Sequence, residues 1–163
     1  MANFFKANPK KTQIQQSFTV KVNRLDQHGC GVAFQGKKPI FIEGALPGET
    51  VEVQVFEQKS KFSKAKLQHI VIASPERAEV KCQHYFQCGG CNLQHMQYPQ
   101  QLNYKQEKIK QLFSREGIEQ DLPWQNNITS QPWQYRRKAR IGVQYNKRGE
   151  PIIGFRQRES KHL

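Results

Sequence analysis

Three of the chain's four cysteines, Cys82, Cys88 and Cys91, fall in the pattern C-x5-C-G-G-C. Gly89 and Gly90 carry no side chain, so the backbone between the last two can curl and aim both thiolates at one centre. Soft sulfur donors select zinc or an iron-sulfur cluster, and both want four protein ligands. The candidates for the fourth are Cys30, His84, His95 or a residue beyond Leu163. His95, four residues after Cys91, could close a zinc site of three cysteines and one histidine. His84 lies too close to Cys82 to share an ion with it easily. Cys30, far upstream between two glycines, reads as a small buried side chain and not as a ligand. Thiols gathered this tightly in a reducing compartment point to metal or redox chemistry and away from a disulfide framework.

Two clusters of cations come next. Arg136, Arg137, Lys138 and Arg140 lie in Y-R-R-K-A-R, at the start of an expected strand from Tyr135 to Tyr145. Strand alternation would put Arg136, Lys138 and Arg140 on one face, a row able to follow phosphates, and Arg137 on the other with Ala139 and Ile141. Lys59, Lys61, Lys64 and Lys66 surround Phe62 on an expected hairpin, which suits a nucleic-acid surface. The plainer reading is an edge hairpin that uses lysines to block strand addition. Lys and Arg number 26 against 13 Asp and Glu, a formal charge of +13 with a pI near 9.8. The surplus sits in both halves, with 12 basic and 7 acidic groups over residues 1–80 and 14 and 6 over 81–163. Such a balance fits a polyanionic partner and a protein that meets it with more than one segment.

The elements that must carry these groups follow from periodicity. Residues 1–16 mix Asn, Gln, Lys and Thr without a period and read as a flexible basic leader. From 17 to 73 five short strands are expected. They are Phe18–Val22, Val32–Phe34, Ile40–Ile42, Val51–Val55 and Ala65–Ile70, with turn residues between and no helix, which suits a small antiparallel barrel of the OB kind. Residues 74–163 hold the cysteine segment and then a helix. Pro99 lies in its first turn, Leu102, Ile109, Leu112 and Phe113 form a packing face, and Gly117 is the C-terminal cap. A loop over 118–133 leads to a hairpin turned at Asn146-Lys147-Arg148-Gly149. The fold class expected is mainly β with some α. No run of apolar residues is long enough to cross a membrane and no secretory leader opens the chain, so a cytoplasmic monomer is expected.

Taken in order, G-C-G-V-A, G-A-L-P-G-E-T-V, A-S-P-E-R, C-x5-C-G-G-C-x2-Q-H, Y-R-R-K-A-R and G-F-R resemble the RNA uracil-5-methyltransferases of the RumA/RlmD type, over about residues 14–158. The resemblance implies that 17–73 is a TRAM domain, an OB-like RNA-binding barrel. It implies that Cys82, Cys88 and Cys91 are three ligands of a 4Fe-4S cluster whose fourth cysteine follows G-F-R, beyond Leu163. It also implies that the partner is 23S ribosomal RNA, in which the family forms 5-methyluridine, and that the S-adenosyl-L-methionine site and the catalytic residues belong to a C-terminal domain not in this chain. The chain alone would then be an inactive N-terminal portion. A TRAM methyltransferase acting on transfer RNA, a stand-alone zinc RNA-binding module and an iron-sulfur electron carrier are the competing readings. The carrier has no use for the cations.

Overall fold

The computed structural model describes residues 17–118 and 122–163; the leader expected over 1–16 lies outside them, as do three residues of the expected loop. Two compact units meet at Ser74–Pro75.

The first unit is a six-stranded sheet of β1 (Phe18–Lys21), β2 (Arg24–Leu25), β3 (Gly31–Gln35), β4 (Lys38–Ile42), β5 (Thr50–Gln58) and β6 (Ser63–Ile72), hydrogen-bonded in the order β1-β5-β6-β4-β3-β2. Its two edge strands are consecutive in the chain, interrupted only at Val22-Asn23. The first half of that segment pairs with β5 and the second with β3, so the sheet curls onto itself as a barrel. Val51, Val53 and Val55 of β5 point inward with Val22, Ala33, Ile40, Ile42, Ala45 and Ala65 to form the core. The alternation that marks β5 in the sequence is the alternation that fills the barrel.

An all-antiparallel barrel is not what forms: β4 and β6 run parallel, with Ile40 opposite Ser63 and Ile42 opposite Ala65. The loop from Glu43 to Glu49 carries the chain across the barrel before β5, and the β5–β6 hairpin returns it beside β4 in the same direction. Glu49 holds that loop. Its carboxylate is fully buried and accepts hydrogen bonds from the amides of Leu46 (2.8 Å) and Ser74 (3.2 Å). Gly31 is where the loop and the first strand crowd β3. A Cβ there would lie 2.9 Å from the Ala45 carbonyl oxygen and 3.0 Å from the side chains of Ala45 and Val22. Gly31→Ala should therefore lower stability by about 1–3 kcal/mol, read as a fall in the barrel's melting temperature.

In the second unit Arg77 bridges Met96, and α1 spans Tyr98–Arg115 with proline in its first turn. It ends in a Schellman motif: Gly117 has φ of 76°, its amide bonds to Ser114, and the Ile118 amide bonds to Phe113 at 2.9 Å. The apolar face of α1 does not pack as expected. No helix residue is buried, Leu112 is 60% exposed, and among the described residues the one ring against Phe113 is that of Trp124, edge-on at 6.2 Å. The hairpin is shorter than its alternation suggests, β7 (Gly142–Tyr145) against β8 (Pro151–Gly154). Residues 135–141 have no strand opposite them and stay outside the ladder. No helix among the described residues is long and apolar enough to cross a membrane.

Candidate nucleic-acid interface and cysteine loop

Inward Ser63 and Ala65 on β6 force Lys64 and Lys66 to the outer face, and the turn before them is closed by the Lys59 amide on the Phe62 carbonyl at 2.9 Å. Glu57, opposite Lys64 on β5, pairs with Lys59 (2.9 Å) and Lys64 (3.7 Å). The hydrogen bond from Lys59 is the main cause that holds the Glu57 carboxyl below its usual range. Two of the four lysines thus share a carboxylate, while Lys61 and Lys66 stand exposed. Phe62 is half-buried, edge-on to Phe41 at 5.7 Å, with the Lys59 ammonium 5.3 Å from its ring centre. It anchors the hairpin. The exposed aromatic rings of the barrel are Phe34 and Phe56, which the sequence reading passed over. Phe56 follows inward Val55 and so faces out, at a register shift between Val55 and Glu57.

Arg136, Arg137, Lys138 and Arg140 are all exposed, but not as a strand row. The segment is irregular because no partner strand reaches it, so the separation of Arg137 from the others by strand alternation does not apply. Exposed aromatics precede it. Lys81 lies 5.8 Å from the ring centre of Trp133, and Arg136 donates to the Tyr135 hydroxyl at 3.3 Å. Gln134 between the two rings has φ of 59°, a turn that side chains rarely adopt.

The cysteine loop is built around a buried pair. Tyr85 and His95 are almost wholly buried, with the phenol 2.6 Å from His95 Nδ1 and donating to the Asn92 carbonyl at 2.7 Å. With its single proton so used, the phenol accepts from Nδ1–H, which fixes the imidazole tautomer. Burial pushes the Tyr85 phenol above its usual pKa, so it serves as a neutral strut. The contact with Tyr85 uses Nδ1 only, and among the described residues His95 does not gather with the three cysteines as a metal-holding group. His84 is exposed beside Gln83, and Cys30 sits in the β2–β3 turn of the first unit, its amide on the Asp26 carboxylate.

All four cysteines are free thiols, Cys82 and Cys88 half-buried and Cys91 exposed. Among the described residues no three Cys, His, Asp or Glu side chains converge as a metal-holding group. The donor set is chemically right for iron and sulfide, but its three sulfurs are not drawn onto a common centre. Cys88 Sγ accepts from the Gly90 amide at 3.3 Å, and a Cβ at Gly90 would come 3.3 Å from the same sulfur. The segment after G-F-R is stitched along the loop. The Gly89 amide bonds to the Arg156 carbonyl (2.9 Å), the Arg158 amide to the Gln87 carbonyl (2.8 Å), and the Arg158 guanidinium to the carbonyls of Tyr85 (3.1 Å) and Cys91 (2.6 Å). Arg158 thereby clamps both ends of the turn that carries Cys88. No motif pointed to it.

Residues 11–67 match the TRAM domain. Over its whole length the chain is 49% identical to the 23S rRNA (uracil(1939)-C(5))-methyltransferase RlmD of Colwellia psychrerythraea, 45% to that of Aliivibrio fischeri and 42% to that of Shewanella amazonensis. It spans about 37% of the length of each of these relatives.

Proposed function

Since the chain carries a TRAM domain and is homologous along its whole length to the RlmD 23S rRNA uracil-C5-methyltransferases, we propose that it performs the RNA-recognition part of forming 5-methyluridine in 23S ribosomal RNA. The observation that carries this reading is the end-to-end match, reinforced by exposed cations on each unit. Lys61 and Lys66 of the barrel, with Lys59 and Lys64 beside Glu57, and Arg136, Arg137, Lys138 and Arg140 of the second unit are the phosphate contacts. Phosphate contacts fix register and supply most of the affinity, while base edges and base faces supply choice. The barrel of 17–73 and the segment of 74–163 act as two RNA-facing domains.

Cys82, Cys88 and Cys91 are proposed as ligands of a 4Fe-4S cluster. The donor chemistry, the C-G-G-C corner and the amide hydrogen bond on Cys88 Sγ support this, since amide donors to sulfur are part of how proteins hold and tune such clusters. Ligation requires the loop to close its three thiolates onto one centre from the arrangement seen here. S-adenosyl-L-methionine and the methyl transfer itself are assigned to the part of the relatives that this chain does not span, and the setting is the reducing cytoplasm. The test is direct binding of a labelled ribosomal RNA segment, followed by anisotropy across a salt series. Steep weakening with salt is expected, and failure to bind at low salt would contradict the reading.

A further inference from the structure

The β7–β8 hairpin and the cysteine loop enclose a groove of about 560 Å³, lined by Gly89, Gly90, Arg140, Phe155, Arg156 and Glu159 among others. Its size is that of a small-molecule site. Gly89 and Gly90 belong to the lining, and their amides are spent on the Arg156 carbonyl and on Cys88 Sγ. Phe155, also in the lining, is 50% exposed. No hydrogen bond or ion pair to another described residue holds the guanidinium of Arg140 or of Arg156, which leaves both for a ligand's charge. Glu159 is the carboxylate of the lining and keeps anionic groups toward the arginines. An exposed ring and two guanidiniums in the lining of one groove supply the chemistry that takes one unpaired nucleotide: base on the ring, phosphates on the cations.

We propose that this groove binds a single unpaired nucleotide of the RNA, with Phe155 as the stacking face and Arg140 and Arg156 as the phosphate contacts. The proposal rests on the RNA-recognition reading and adds to it a place where unpaired RNA is distinguished from duplex. An acidic peptide would use the two arginines but not the ring, and becomes an outcome of the test.

The full chain is titrated with a single-stranded oligouridine and with a duplex RNA of equal length, and the oligouridine carrying 5-iodouridine is photo-crosslinked and the adduct mapped. Phe155→Ala should weaken the single strand about tenfold, as expected for loss of one base–aromatic stack. It should leave the duplex unchanged, and Phe155→Tyr should restore the single strand. The crosslink should map to the peptide containing Phe155. A misfolded variant would lose both RNAs, which the duplex arm and the tyrosine variant expose. Equal single-strand affinity in the wild type and Phe155→Ala, or a crosslink elsewhere, overturns the groove while RNA recognition stands. A loss seen with Arg140→Gln and Arg156→Gln but not with Phe155→Ala makes the groove an anion site only and overturns the stacking. Failure of the wild type to bind either RNA overturns both readings.

Discussion

Replacing Cys88 with serine should abolish retention of iron and sulfide by the chain after anaerobic reconstitution. Cys88 shares the C-G-G-C corner with Cys91, its sulfur already accepts an amide hydrogen bond, and its backbone is bridged to Gln157. Of the three proposed ligands it is the one with these backbone ties to the fold. A serine oxygen is a poor donor to an iron-sulfur centre, which is held by thiolate. Cys82→Ser and Cys91→Ser should act alike, whereas Cys30→Ser should keep the cluster, because Cys30 lies in the barrel turn beside Asp26. With three thiolates the cluster leaves one iron without protein sulfur, and its brown colour should fade in air. Iron and sulfide analysis with visible absorption checks each variant. One tightly held zinc in a colourless protein, released by His95→Ala, would contradict the assignment. His95→Ala is expected instead to loosen the loop, because it removes a hydrogen-bond partner of the buried Tyr85 phenol, at a cost of about 1–3 kcal/mol.

Replacing Arg136, Arg137, Lys138 and Arg140 together by glutamine should weaken RNA binding about 100-fold at low salt and flatten its salt dependence by roughly three units of log–log slope, as expected for the loss of four phosphate contacts. None of the four is buried, so the fold should survive the change. Charge alone also steers RNA, and the control is a variant with the same change in net charge: Lys105, Lys108, Lys110 and Arg115 of α1 replaced by glutamine. Lys110 there pairs with Glu107 at 2.8 Å, and the α1 face carries no other sign of a phosphate path. That variant should lose only a few-fold. Equal losses in the two variants would reduce the basic run to a solvated face. Anisotropy on the same RNA, at matched salt, decides it.

What the residues disclosed in advance was what local periodicity encodes. The valines of β5, the turn glycines, the Pro99 start and Gly117 end of α1, and the motif series that resembles the uracil methyltransferases were all visible in the chain. The parallel pairing of β4 with β6 was not, because register between strands separated by a long excursion is decided by the Glu49-braced loop and the hairpin that follows it. The expected strand at Tyr135 failed for a related reason. Alternating cations satisfy the strand period, but a strand also needs a partner, and β8 is only long enough to pair Gly142–Tyr145. The face of α1 has the spacing of a packing face and yet is exposed, since periodicity says which residues lie together and not whether anything covers them. The distance of His95 from Cys91 makes it a candidate ligand. Its commitment to Tyr85, and the clamp made by Arg158, depend on contacts that only folding creates. The groove beside Phe155 has the same origin.

The salt dependence of RNA affinity bears most directly on recognition through phosphates. Lys61, Lys66, Arg136, Arg137, Lys138 and Arg140 are the exposed cations of the two clusters not paired with Glu57. Six such contacts give a log–log slope of about −4 on single-stranded RNA, a fall of roughly 300-fold in affinity from about 50 to about 200 mM salt. Anisotropy of the full chain on a labelled ribosomal RNA segment across that range should show this slope. An affinity that stays flat over the same range would contradict RNA recognition by these residues.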